Sequence, residues 1–460
     1  IPAAEQTLYA RYMEIYAAML ANLDSNVGRL MQRLEQLGIA DNTLVLLFSD
    51  NGGSAEGTET GTPNVFAAAY GRPVPVAEAQ KLMDVMGEDP TFPHYPIGWT
   101  NASNTPYRLY KQFTHLGGVA DPLIVSWPKG QPDAGAVRQQ FVHVIDLMPT
   151  VLEIAGVSAP ATRNGVKLKP VQGKSIAPTF NAPQAPTRTE QYFELGGNRA
   201  YYAAPFRLVV RHERGKPFTD DKWELYDLSK DPNELNDLAA TLPDKVTELA
   251  AKWRTAAEQN NVFPLDDRQM VIRMVQDRQG RGIRPSWDLR PPIERLSRET
   301  APVCCGLPHD IIVDCTVEGD GVLVAHGSQP AGYTLYVKDG RLFYEQSLLP
   351  WRVVIDGGPV SSGKAELRYS QTMKSRPFIG TGTLYVNGQK RAEQALEHAL
   401  FSTSYDGFSV GADLGNRVSP AYTAPFPLAG TIERVRITVD NSTLSPLETM
   451  RFLNAMALRV

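Results

Sequence analysis

The sequence predicts an α/β domain followed by an all-β sandwich, and three observations predict it. Residues 6–37 carry apolar side chains at helical steps and lead into the wholly apolar run Leu44 to Phe48, a helix followed by a buried strand. A second short apolar strand, Leu123 to Trp127, and two further helical stretches, 143–156 and 243–259, follow in the first 260 residues. Beyond about Ile311 the period changes to two, in two near-repeats, TLYVKDGRLFYEQ (334–346) and TLYVNGQKRAEQ (383–394). A length of 460 residues predicts about two or three domains.

Tyr16, Met19, Leu20, Leu23, Val27, Leu30, Leu34 and Leu37 form one continuous apolar stripe on the first helix. Gly38 ends it where a left-handed residue belongs. Leu44 to Phe48 reads as a central strand covered on both faces, as in a parallel α/β sheet. Ligands gather at the carboxyl ends of such strands, and Asp50 and Asn51 stand there. Residues 54–97 read as an irregular insertion with a short helix near 76–86. In 143–156, HVIDLMPTVLEIAG, a helix closes at Gly156. Residues 191–202, 206–211 and 223–228 read as strands, Asp231-Pro232 as a turn, and 243–259 as a closing helix.

Residues 264–302 hold eight arginines, six acids and several prolines with weak periodicity, a solvated linker rather than a basic binding site. Each near-repeat centres on Asp339-Gly340 or Asn387-Gly388, the strongest short hairpin signal. Alternating strands at 408–415 and 430–440 complete a sandwich. Ser445-Pro-Leu-Glu448 is a capping box that opens a final helix. The expected domains are therefore 1–262, a linker 263–305, and 306–460.

Composition is globular, 42% hydrophobic and 21% charged, with a net charge of -4, so nothing points to a nucleic-acid or anionic-membrane partner. No apolar run reaches the length of a membrane span. The three cysteines, Cys304, Cys305 and Cys315, form no C-x-x-C pair; a 304/315 or 305/315 disulfide is open, and so is the compartment, cytoplasmic or periplasmic. The chain starts at Ile1 in mid-pattern, which is read as a start without the natural N-terminus.

Asp50 and Asn51 offer a carboxylate and an amide carbonyl, hard oxygens that suit Ca²⁺ or Mg²⁺. Two residues do not complete a Ca²⁺ shell of about 6–8 oxygens. On DNGG alone, a plain turn after a strand is the better reading. Lys111 and His115, four apart in YRLYKQFTHLGG, fall on one face of a helix or a strand. Lysine would neutralise charge on an anionic ester or its leaving oxygen, and histidine would donate a proton. The plain alternatives are a solvated lysine and a satisfied core histidine. His94 and His143 are weaker candidates, His143 as a helix-start residue, and Asp146 reads as a structural carboxylate. Gly117-Gly118 reads as a close backbone approach beside the site. No Gly-rich phosphate loop, H-E-x-x-H or G-x-S-x-G elbow is present.

DNGG after an apolar strand, GWTNASNTPYRLYKQFTHLGG-x-x-x-PLIVSWP, HVIDLMPTVLEIAGV and WELYDLSKDPNELNDLA follow in this order. They resemble bacterial type I arylsulfatases over roughly residues 5–262. The resemblance implies an alkaline-phosphatase-like sheet with helices on both faces. It implies Asp50 and Asn51 as Ca²⁺ ligands, with Mg²⁺ second, Lys111 on the sulfate and leaving oxygen, and His115 near the site. Leu116 stands where the family's T-H-E-G-G-like stretch often has Glu. Such enzymes carry C/S-x-P/A-x-R, whose Cys or Ser becomes the formylglycine nucleophile; CCGLP, CGLPH and CTVEG do not fit it. The expectation is the C-terminal portion of a sulfatase, formylglycine lying in a missing N-terminal part, inactive alone and acting in the whole protein on small-molecule or glycan sulfate esters. The competing expectations are a phosphonate monoester or phosphodiester hydrolase of the same superfamily and a non-catalytic, glycan-binding remnant. Residues 306–440 resemble, more loosely, a laminin-G or concanavalin-like sandwich.

Overall fold

The computed structural model describes residues 2–69, 72–130, 133, 135–268, 284–291, 293–298, 300–374, 379–397, 399–400 and 402–440. They form two compact units, one of residues 19–54 and 100–268, the other of 1–18, 55–99 and 269–460. The expected final helix at 445–460 lies outside the described residues.

Helix α1 (Ala3–Gln36) runs as its period predicts, and Gly38 closes it at φ 68. In the first unit the apolar stripe is continuous but uncovered: Met19, Leu20, Leu23, Leu30 and Leu37 are exposed. β1 (Val45–Phe48) likewise differs from the expected central strand. It pairs antiparallel with β2 (Leu123–Ser126), and Leu47 and Phe48 are exposed. An apolar run asks for cover but does not say which direction its partner runs or what lies over it.

Further along this unit come α4 (Ile97–Ser103), α5 (Leu116–Val119) and α6 (Leu147–Ile154), with Gly156 at φ 67. The small hairpin β3 (Thr162–Arg163) and β4 (Val166–Lys167) precedes a four-stranded antiparallel sheet. That sheet is β5 (Glu190–Leu195), β6 (Asn198–Ala203), β7 (Phe206–Val210) and β8 (Glu224–Asp227), in sequence order. Residues 191–202, expected as one strand, are two, because Gly196 (φ 58) and Gly197 (φ 90) turn the chain back. α7 (Pro243–Gln259) lays Leu249, Trp253 and Ala257 on Tyr201, Leu208 and Leu225 of the sheet. Each such fully buried aliphatic side chain contributes about 1.5–3 kcal/mol.

The second unit contains α2 (Val65–Ala69), α3 (Val76–Lys81) and a two-sheet sandwich. Its strands are β9 (Ser286–Leu289), β10 (His309–Val317), β11 (Gly321–Ser328), β12 (Ala331–Lys338), β13 (Arg341–Leu348) and β14 (Trp351–Pro359). β15 (Gly363–Met373), β16 (Gly380–Val386), β17 (Gln389–Leu396), β18 (Phe408–Val410) and β19 (Gly430–Val439) follow. One sheet is ordered β17-β16-β15-β10-β19-β9 and the other β14-β13-β12-β11-β18. Ile311, Val313, Leu367, Tyr369, Val435 and Ile437 meet Leu335, Val337, Leu342 and Tyr344 in one core. Both predicted hairpin turns form, with Asp339 and Gly340 at φ 50 and 65 and Asn387 and Gly388 at φ 51 and 76.

The stretch expected as a solvated linker is partly structural. β9 pairs with β19, and Trp287 is buried in the core. A single tryptophan at the centre of a four-residue strand is too short a signal for periodicity to register. The three cysteines are free, and Cys304 and Cys315 are buried.

Candidate functional site

Residues 49–53 leave β1 as a turn. Ser49 Oγ donates to Asn51 O at 3.0 Å, and Asn51 Nδ2 donates to Gly52 O at 2.9 Å. The turn then joins the 104–118 stretch through its backbone. Gly52 N donates to Gly118 O at 3.2 Å and Lys111 N to Gly53 O at 3.0 Å. Asn104, which sequence reasoning missed, knots the two together. Its Oδ1 accepts Gly53 N at 2.9 Å, while Nδ2 donates to Leu109 O at 2.9 Å and Gly117 O at 3.0 Å. A short amide that serves three backbone segments carries no periodic signature.

The approach is as close as Gly117-Gly118 predicts. A Cβ on Gly52 would stand 1.8 Å from Gly117 O, and one on Gly117 or Gly118 would stand 2.2 Å from a backbone oxygen. The glycines are thus what allows Asp50-Asn51 and Lys111 to share one locality. Asp50 is exposed and Asn51 and Lys111 are half-buried.

Asp121 is the second residue that sequence reasoning missed. It lies two positions before Leu123, whose partner Phe48 lies two positions before Asp50. Burial first, and then the charge of Asp50, holds the Asp121 carboxyl above the usual carboxylate range. Asn51, next in the chain after Asp50, adds an amide oxygen to these two carboxylates. Such a donor set fits a hard divalent cation, which would relieve the repulsion between the two carboxylates. Among the described residues, no group of three His, Cys, Asp or Glu side chains is arranged to hold a metal ion.

His115 is fully buried, with Nε2 3.5 Å from Glu224 Oε2 on β8. That separation is longer than an ordinary hydrogen bond, and the contact is an ion pair only with the imidazole protonated. Glu224 Oε2 also accepts Tyr226 OH at 2.5 Å and Arg108 Nη1 at 3.4 Å. The Glu224 carboxyl falls to about 2, chiefly through His115, with Tyr226 and Arg108 assisting and burial opposing. The two further histidines stand elsewhere. His94 Nδ1 lies 3.1 Å from Tyr95 O in the other unit. His143 caps the turn before α6, its N donating to Asp146 Oδ2 at 3.0 Å. Asp146 is buried and structural, accepting Lys174 N at 2.7 Å and Arg188 Nη2 at 2.7 Å.

Residues 2–157 match the sulfatase family, and residues 107–260 match the family described as N-sulphoglucosamine sulphohydrolase, C-terminal. This chain carries a sulfatase-family domain. An uncharacterized sulfatase of Schizosaccharomyces pombe is 33% identical over 267 residues, 57% of this chain and 46% of that protein. An arylsulfatase of Klebsiella aerogenes is 30% identical over 188 residues, 40% and 38% of the two chains. An N-acetylglucosamine-6-O-sulfatase of Bacteroides thetaiotaomicron is 27% identical over 279 residues, 57% and 39%. The chain thus spans less than half the length of these curated relatives. Mouse laminin α1 chain, domains LG4-5, aligns with 34% of this chain at 14% identity and a TM-score of 0.24.

Proposed function

We propose that this chain belongs to a sulfuric ester hydrolase that cleaves sulfate monoesters of small molecules or glycans. Residues 19–54 and 100–262 belong to its catalytic-domain part, and the sandwich, which takes in β9 as well as β10–β19, is an accessory. The observation that supports the reading is the bond from Lys111 N to Gly53 O, which joins the backbone at Lys111 to the turn that follows Asp50 and Asn51. Lys111 would neutralise charge on the sulfate and on the departing oxygen. Asp50 and Asn51 would hold a divalent cation, Ca²⁺ ahead of Mg²⁺, with other ligands completing the shell. Sulfatases in general use a formylglycine nucleophile and a divalent metal, which supply attack at sulfur and neutralise the sulfate oxygens. His115, buried against Glu224, supports the loop that carries Lys111.

The test compares p-nitrophenyl sulfate with bis(p-nitrophenyl) phosphate as substrates of the full-length protein. Sulfate turnover that falls by about 10²–10³ in Lys111→Ala supports the reading. Diester turnover without sulfate turnover replaces it with a phosphodiesterase.

A further inference from the structure

We propose that Arg207 and Glu234 are positioning residues, a buried clamp that sets the backbone of the Lys111 loop from the β5–β8 sheet and the turn after it. Only the catalytic consequence of this proposal rests on the sulfatase reading. Both residues are fully buried, and Arg207 Nε donates to Glu234 Oε1 at 3.0 Å. One further polar atom of each side chain reaches into the loop. Glu234 Oε2 accepts Leu116 N at 2.9 Å, and Arg207 Nη2 donates to Thr114 O. The Glu234 carbonyl takes Arg108 Nη1 at 2.7 Å, and the same Nη1 donates to Tyr226 OH at 2.8 Å.

A buried ion pair is weak as a stabiliser, because desolvation opposes the attraction and an apolar pair of equal volume often serves as well. What an apolar pair could not do is bond Thr114 O and Leu116 N. Those two groups flank His115, a few residues beyond Lys111. The loop also needs holding, since Leu109 (φ 62) and Gln112 (φ 82) are non-glycine residues in left-handed backbone. Each such residue costs about 1–3 kcal/mol and persists only where its surroundings impose it. Asn104 Nδ2 holds Leu109 O, and Asn198 Nδ2 holds Gln112 O at 3.0 Å. The Arg211 guanidinium lies 5.3 Å from the centre of the Phe113 ring. From Arg108 to Leu116, the loop is therefore gripped by β6, β7, β8 and the turn after β8.

Two variants of the full chain separate the clamp from general packing. Glu234→Gln removes the charge and keeps one acceptor. Leu116→Pro removes the donor and sets the ring Cδ against Glu234 Oε2, so that the carboxylate has to draw back from the loop while both charges of the pair are kept. His115 (φ -68, ψ 161) already has the backbone that precedes proline, and Leu116 opens α5, where proline is tolerated. The readout is hydrogen exchange of residues 108–118, beside that of β5–β8 and the melting temperature. We expect exchange in 108–118 to quicken by about tenfold or more while that of β5–β8 changes less, with a lower melting temperature in Glu234→Gln, where the Arg207 charge is left buried without its counter-ion. Unchanged loop exchange in a folded variant overturns the proposal, and so does loosening spread equally through β5–β8. If Glu234→Gln does not fold, Leu116→Pro decides alone. In the full-length protein, Leu116→Pro should lower kcat for p-nitrophenyl sulfate about tenfold and leave KM little changed. A change in KM alone overturns the catalytic consequence. Wild-type protein without sulfate turnover overturns the sulfatase reading, and the exchange result still decides the clamp.

Discussion

Two residues carry the tightest physical constraints at the site. Gly52 faces Gly117 O so closely that any Cβ forces the two stretches apart. Gly52→Ala should lower unfolding stability by about 1–3 kcal/mol, the range for overpacking, measured by denaturant titration. An unchanged midpoint would mean that the 49–53 turn moves freely away from Gly117. Glu224 gives a pH signature. Its folded carboxyl lies at about 2, below its ordinary 4.5, so its contribution is complete above 4.5 and is lost as pH falls toward 2. Glu224→Gln should flatten that part of the stability profile in acid melts, and a profile with the same slope as wild type would remove the assigned partners. Legibility divides at this scale too. Asp50, Asn51 and Lys111 were visible because each sits in a recognisable string. Asn104, Arg207 and Glu234 were not, since they reach partners as far as 51, 93 and 126 residues away and no local pattern encodes them.

At the scale of elements, local codes performed well. α1 and α7, the Gly38 and Gly156 stops and the two Asx-Gly hairpins follow from periodicity and from residues that tolerate positive φ. The same codes say nothing of cover. The stripe of Met19, Leu20, Leu23, Leu30 and Leu37 faces outward, a sizeable apolar surface of the kind that seeks a partner. The chain of 460 residues by itself should therefore enhance the fluorescence of an apolar dye such as ANS. Leu23→Lys together with Leu30→Lys should remove most of that enhancement and leave melting near wild type. Enhancement that survives both substitutions would place the dye elsewhere. β9 is the converse case: its sequence looked like linker, and pairing with β19 made it a strand.

For the whole molecule, the cation is the sharpest test. Asp50 and Asn51, with Asp121 adjacent, form a partial set of hard oxygens, so Ca²⁺ should stabilise the full-length protein by mass action, about 2.7 kcal/mol at a hundredfold excess over Kd. A chelator should reverse the shift in melting temperature, and Asp50→Asn should abolish it. An equal response in the variant would move the cation off this turn.

The sequence by itself determined the helices, the hairpins, the class of each half of the chain and the strings that mark a sulfatase-family domain. These depend on residues a few positions apart, where φ preferences and side-chain spacing act directly. Tertiary structure decided the antiparallel pairing of β1 with β2, the Asn104 knot, and the grip of Arg207 and Glu234 on the Lys111 loop. Those depend on which distant backbone groups are brought within hydrogen-bond reach, and only the packed chain fixes that geometry.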